Sequence, residues 1–458
     1  MNLLKKFLYS IQYWWQTVFG NKRTASRAEE HALGALCGES PHTITSIIEF
    51  KGSESQDWSA DYKLYSRAKW QIQDLFDPIM KQTLAYFTGP YVNASIDDSI
   101  FKKTGKKIKT ASRYRDPMSP AFHANLMYGI RFLQISLTLP LYEFDSETPS
   151  RAIPIDFIEA PTLKKPKKKA SKEEWKNYRK KAQNYTISAK CIEALKRLRA
   201  RLDEQGFQDK ILISTHDNAF CNKRCLSEDI DRTVRVMRSR KDIKLCHRST
   251  KKGRFYAKKK FTPEGVYQDN KIPWLEAKIF RAGKYRNIQY KEVKDCFWQS
   301  RTKRKPYTLI VLKKIPYHPR KGHTSYREPA YLLCEQSEVP THHLIQAYHD
   351  HPGIELNFKD EKWIGVGDAQ VRNEKSVARQ PAFVVATYSS LLLAALSVYR
   401  EKIIPPIDVL PSWQKDARRP STRMLIKQLK KELLSHPDLI HELHLSPEVI
   451  EIVLKIAA

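Results

Sequence analysis

The pattern of apolar and polar positions changes character along the chain. Residues 1–88 read as helical, with polar loops around Gly38–Pro41 and Gly52–Trp58. A short apolar run, Tyr91 to Ile96, then stops at Asp97-Asp98, as a strand does when it delivers acids at its carboxyl end. Two longer strand-like runs follow, Leu126 to Tyr142 and Ala152 to Ile158. A helix is predicted from Ser171. Ser171 and Glu174 have capping-box spacing, and Trp175, Tyr178, Ala182, Cys191, Leu195, Leu198 and Leu202 repeat every three or four residues. The apolar run Ile211–Ser214 leads straight to Asp217. This β-β-β-α-β order describes an α/β core.

From about residue 230 to 337 short β-type runs (Thr233–Met237, Tyr307–Ile315, Ala330–Cys334) alternate with charged turns. The chain then becomes helical again. Pro405, Pro406, Pro411 and Pro420 mark a break before two C-terminal helices, and Ser446-Pro447-Glu448 suits the start of the second. The expected organisation is a helical, DNA-binding N-terminal region (1–88), a core in two parts (89–229 and 339–402) around a β-rich insertion (230–338), and a helical C-terminal region (403–458). The stretch Ala382–Tyr399 is about long enough to span a bilayer. Its Thr387, Tyr388, Ser389 and Ser390 favour a buried core helix instead.

Charge narrows the choice of partner. The 81 Lys and Arg outnumber 50 Asp and Glu, leaving a formal charge of +31. Each phosphate neutralised by such a surface releases counterions, so DNA or RNA gains sequence-independent affinity. A membrane partner is disfavoured, because the basic runs lie between globular segments rather than beside an amphipathic anchor. Lys164 to Lys181 is the densest run, with ten basic and two acidic residues, and suits either phosphate contact or a solvated face. Seven scattered cysteines fit reduced thiols. Cys221-x3-Cys225 and Cys246-His247 lack a second pair at finger-like spacing, which argues against zinc. Residues 1–20 look like an amphipathic helix and not a cleavable signal.

Candidate chemistry rests on three carboxylates. Asp98 closes the first strand, Asp217 follows a later one, and Glu355 lies on a helix after the insertion. Acids delivered by separate elements suit divalent metal ions, which cleave phosphodiesters by activating the attacking oxygen and stabilising the leaving one. Glu355 and Lys362 are two helical turns apart, roughly 20° different in azimuth, so one face presents a metal-binding carboxylate and a phosphate-binding ammonium. Asp350 is expected to cap this helix, with Pro352 in its first turn, Tyr348 just before it and His351 at its start.

These residues carry a resemblance. Tyr348-x2-His351-x3-Glu355-x6-Lys362, followed by Gly365, Gly367, Gln370, Val371 and Arg372, is similar to the Tyr-x2-Arg-x3-Glu-x6-Lys signature and Gly-x-Gly-x-x-Gln-Val-Arg stretch of the RNase H-like DDE transposases of bacterial insertion sequences. IDDSIFKKTGKKIK resembles that family's first-aspartate strand and basic loop, AIPIDFIEAP a core strand, and ILISTHDNAFCNK the second-aspartate segment. The resemblance covers roughly residues 88–400. His351 is a departure, standing where the family has arginine, and a neutral imidazole makes no bidentate phosphate clamp.

The resemblance implies an RNase H-like mixed sheet core and a transposase that cuts transposon ends and joins them to target DNA. Asp98, Asp217 and Glu355 would be its catalytic metal ligands for Mg²⁺ (or Mn²⁺). Tyr348, His351, Lys362, Lys102, Lys103 and Arg372 would be DNA contacts. Trp298, beside a cationic run, either stacks an extruded base or fills the core of a small β unit. Double-stranded DNA, a homodimer formed on it, and a bacterial cytoplasm are implied as well. Two alternatives remain open: a catalytically weakened or domesticated transposase-derived DNA-binding protein, and an RNase H-fold nuclease.

Overall fold

A computed structural model describes residues 2–399, apart from 117, 118, 121, 146, 303 and 321, together with residues 420–435. Five helices come first: α1 (Leu3–Trp15), α2 (Lys22–Cys37), α3 (Ile44–Phe50), α4 (Ser59–Ser66) and α5 (Ile72–Leu84). Strands β1 (Tyr91–Lys102), β2 (Ser112–Arg115), β3 (Leu126–Leu139) and β4 (Arg151–Glu159) precede α6 (Lys172–Ala182), α7 (Ile187–Glu204), β5 (Ile211–His216) and α8 (Lys223–Leu226). Next come β6 (Thr233–Arg238), β7 (Leu245–Arg248), β8 (Tyr256–Phe261), α9 (Pro263–Gln268), β9 (Leu275–Arg281), β10 (Lys284–Cys296) and β11 (Tyr307–Leu312). The chain continues through β12 (Ile315–Arg320), β13 (His323–Arg327), β14 (Ala330–Glu335), α10 (Thr341–Asp350), α11 (Pro352–Trp363), α12 (Glu374–Tyr399) and α13 (Thr422–Ser435). The fold is mixed α/β, with a large mixed sheet and helices towards both ends.

Two compact units share this chain, and β1 passes through both. The first comprises the described residues within Met1–Tyr86, Asp98–Lys164 and Ile354–Ala458. The second is Phe87–Asp97 with Lys165–Gly353.

The first unit is organised around α12, which packs on α1, α5 and β4. Of its most apolar 18-residue window 89% is buried, so its length and composition reflect a core position. Its polar residues are accommodated locally. Thr387, Ser389 and Ser390 donate to the carbonyls of Phe383 (2.9 Å), Val385 (3.0 Å) and Ala386 (2.9 Å) one turn back. Phe383 meets Trp15 of α1 at 5.1 Å and Tyr65 of α4 at 5.7 Å between ring centroids. Alongside, β3 pairs antiparallel with both β2 and β4.

The second unit is built on a sheet whose strands run β1–β5–β6–β14–β11–β10–β9. The first three are parallel, with Ile96 opposite His216 and Thr215 opposite Val236. From β14 outward the pairing is antiparallel. Strands expected to form an insertion therefore continue the sheet begun by β1 and β5; among the described residues only the hairpins β7–β8 and β12–β13 stand apart. Ile213, Val236, Ile279, Ile310 and Leu332 form one face, and Leu344, Ile345 and Ala347 of α10 cover it. The buried Arg235 guanidinium pairs with Glu335 across β6 and β14, so both charges are compensated.

Three expectations need correction. β1 continues to Lys102, which places Asp98 within the strand and not at its end. The helix from Ser171 is two helices, because Thr186 caps a new start by accepting from the Ala189 amide at 3.1 Å. Tyr348 lies in the last turn of α10, and α11 starts afresh at Pro352 after a break at His351. Among the C-terminal features, α13 is observed, whereas Pro405, Pro406, Pro411 and Ser446-Pro447-Glu448 lie outside the described residues.

Candidate functional site

In the second unit the sheet leads to Asp217. The buried run Leu212–His216 ends β5, and Asp217 follows as an exposed residue at the head of a short helical turn. Its neighbour Thr215 is buried and binds three ways. The hydroxyl donates to the Ala94 carbonyl at 3.2 Å, and the Ser95 hydroxyl and His351 Nδ1 lie at 3.1 and 3.0 Å. With its one proton committed to Ala94, Thr215 accepts from Nδ1–H of His351. The other ring nitrogen, Nε2, is buried without a hydrogen-bond partner. Burial pushes the His351 pKa down to about 4, with Asp217 opposing the shift. His216 is likewise held well below the usual histidine range by burial, with Arg235 and His351 adding to the effect.

His351 is therefore a neutral, interior residue, correcting the expectation of a phosphate-facing position. The spacing that aligned it with the family's arginine does not see Thr215, which supplies its hydrogen bond from a strand 136 residues away. Tyr348 is half-buried and packs against the α10–sheet core.

Two cavities lie in this unit, one beside Asp217 and one beside Asn218. One, about 800 Å³, is lined by Asp217 with Arg238, Arg240, Lys241 and Lys314, and by Glu264 and Glu328. The other, about 260 Å³, is lined by Asn218, Asn222, Arg240, Trp298 and Arg301. Trp298 is half-buried on its wall, and the Arg301 guanidinium sits 5.8 Å from its ring centroid. The sequence had singled out Trp298 but not Arg238, Arg240 or Lys314. Period-two alternation gives no signal for Arg238, which shares its strand face with the buried Val234 and Val236 and is exposed only where β6 ends.

In the first unit, Asp98 is half-exposed within β1, and Glu355 is exposed in the first turn of α11. Lys362 occupies the last turn of α11 with its ammonium 5.6 Å from the Phe101 ring centroid. Burial lowers its pKa, while Glu361 and Asp116 oppose and Lys102 reinforces that shift. Lys102 and Arg372 are exposed.

Lys103 differs from its neighbour. It is buried, donating to the carbonyls of Gly367 (2.5 Å) and Ala369 (2.7 Å), and burial pushes its pKa down to about 8 with Asp368 opposing. It is a strut, not an exposed phosphate contact. The Thr104 amide donates to Gln370 Oε1 at 3.0 Å, tying the same loop to the end of β1. Gly365 and Gly367 have φ of +81° and +106°, and a Cβ on Gly365 would stand 2.4 Å from that of His42. The Gly-x-Gly-x-x-Gln stretch is thus a tightly built loop.

The chemistry of Asp98, Asp217 and Glu355, three oxygen donors that are wholly or partly exposed, suits a hard divalent cation. Among the described residues, no group of three or more His, Cys, Asp or Glu side chains is gathered closely enough to hold a metal. This includes the Cys221/Cys225 and Cys246/His247 pairs; all seven cysteines are free thiols. The chain matches no known protein family and no curated protein sequence.

Proposed function

We propose that this protein is a DNA transposase with an RNase H-like core, in which Asp98, Asp217 and Glu355 serve as the catalytic carboxylates. The observation that carries this reading is the parallel register of β1 and β5. Ile96 is opposite His216, and each strand runs on within two residues into one of the aspartates. Acids that follow the last residue pair of two parallel neighbours suit the delivery of metal ligands, although β1 itself runs on past Asp98.

The three carboxylates would hold Mg²⁺ (or Mn²⁺). When bound, such ions activate an attacking oxygen and stabilise the leaving one. The chain's own residues then divide the remaining work. Lys362, Lys102 and Arg372 neutralise DNA phosphates. The Arg238, Arg240 and Lys314 cavity beside Asp217 accommodates backbone, and the Trp298 cavity is suited to receive an extruded base. Water attacks the phosphodiester at each transposon end, and the freed 3′-hydroxyl attacks target DNA. A dimer on DNA, acting on chromosomal DNA in a bacterial cytoplasm, belongs to the same proposal.

The test is incubation of the protein and Mg²⁺ with a plasmid carrying the coding region and its natural flanks. New ends at fixed positions and joined products in a target plasmid are expected. Cleavage without joining would point to a nuclease. The buried His351 in place of arginine favours a second reading, a transposase-derived DNA-binding protein, for which binding without cleavage would speak.

A further inference from the structure

The helix α6 has no fully buried residue among its eleven, whereas α7, next in the chain, buries Cys191, Leu195, Leu198 and Leu202 among others. A helix this short is marginal in water without packing. Local terms support it. Ser171 Oγ accepts from the Glu174 amide at 3.1 Å, and the Glu174 carboxylate accepts from the Ser171 amide at 2.7 Å. Both of its acids lie in the first turn, and Arg179, Lys180 and Lys181 in the last, as the helix dipole favours.

Its charges are one-sided. At ~100° per residue, Lys172, Lys176, Arg179 and Lys180 fall within an arc of about 100°. Trp175, Tyr178 and Ala182 form a half-buried stripe beside them, with Trp175 and Tyr178 edge to face at 5.8 Å. The four cations are exposed, and among the described residues none of them forms an ion pair. Their span is about 12 Å along the axis. Lys165, Lys167, Lys168 and Lys169 precede the helix, so the segment 165–181 carries nine basic and two acidic residues.

We infer that α6 and the lysines before it form a DNA-binding arm that grips the backbone of duplex DNA through this cationic face, separately from the carboxylates. The charge decides the partner's class. An unpaired row of cations along one helix face complements the regular phosphates of a duplex, and docking supplies the anionic partners that these cations lack among the described residues. This rests on the reading that the protein acts on DNA, but not on its catalysing a reaction.

The test is the salt dependence of binding of the full-length protein to a labelled duplex of random sequence, in EDTA so that no cleavage intervenes. Each phosphate contact contributes about 0.9 to the slope of log affinity against log salt. For the variant K172Q/K176Q/R179Q/K180Q the slope should be shallower by about 3.6, so that the loss of affinity between 50 and 200 mM salt shrinks by roughly 150-fold. Glutamine retains helix propensity, and K172R/K176R/K180R should keep the wild-type slope. An unchanged slope in the glutamine variant, with circular dichroism like the wild type, would overturn the arm and leave the cleavage proposal standing. A slope equally reduced in the arginine variant, or a wild type that prefers phosphatidylserine vesicles to the duplex at the same salt, would also overturn it. Failure of cleavage with the slope change intact would count against the catalytic proposal alone.

Discussion

His351 Nδ1 lies 3.0 Å from the Thr215 hydroxyl, and both residues are buried. This contact joins the break between α10 and α11 to β5, the strand that precedes Asp217. A guanidinium in place of the imidazole would bury a permanent charge, with only the exposed Asp217 to oppose the cost of desolvation. His351→Arg is therefore expected to lower the melting temperature, by an amount corresponding to about 2–4 kcal/mol, without strengthening DNA binding. Thermal denaturation and a duplex-binding titration check both halves. A stable Arg variant with tighter binding would show that residue 351 faces DNA.

Thr215→Val should be destabilising as well, by about 1–3 kcal/mol, because it strips an acceptor from His351 and a donor from the Ala94 carbonyl. Chemical denaturation measures this, and an unchanged midpoint would remove Thr215 from its positioning role.

Glu361 is fully buried in α11, and its pKa is raised to about 8 by burial, with Gln134 opposing the shift. Its carboxyl oxygens make no hydrogen bond of normal geometry, so a charge there would be uncompensated and burial favours the protonated form. Above the ordinary value of 4.5 the unfolded chain ionises this group while the folded protein keeps it protonated. Stability from this residue therefore falls as pH rises, by about 1.4 kcal/mol per pH unit at most, until about pH 8. Glu361→Gln should match wild type near pH 4 and gain on it steadily up to pH 8 in urea melts. A gap that stays constant with pH would exclude the buried proton.

Lys102 and Lys103, adjacent in sequence, should behave differently. Lys103→Met removes two hydrogen bonds from buried carbonyls and should lower stability by about 1–3 kcal/mol. Lys102→Gln should leave stability unchanged and reduce the salt slope of DNA binding by about 1. Equal effects of both on binding, with no loss of stability, would place both side chains in solvent.

Particular residues show what was legible in the sequence. β5 and Asp217 were readable because a short apolar run ends at a polar turn. Asp97-Asp98 looks like a strand terminus in the sequence, yet β1 runs on, with Ser99 and Phe101 buried beyond it. The helical period from Trp175 to Leu202 hid the break at Thr186, since two helices in sequence can share a repeat. His351 and Lys103 were misplaced for one reason. Their burial is set by partners more than a hundred residues away, Thr215 and the Gly367–Ala369 carbonyls, to which local spacing is blind.

Trp298 offers a test of base extrusion. Trp298→Ala should weaken binding to a duplex containing one unpaired base by about tenfold, as expected for one lost stack, with less effect on a fully paired duplex. Trp298→Phe should restore most of it. Equal losses on both duplexes would mean that the ring supports the cavity wall without receiving a base.

The central claim is that Asp98, Asp217 and Glu355 act together in cutting DNA. Its most direct test is Mg²⁺-dependent cleavage of the plasmid carrying the coding region and its flanks, by wild type and by Asp98→Asn, Asp217→Asn and Glu355→Gln. Each substitution is expected to reduce the rate by at least about a thousandfold while duplex affinity measured in EDTA stays within about threefold of wild type. Cleavage at the wild-type rate by any one of the three variants would contradict the account.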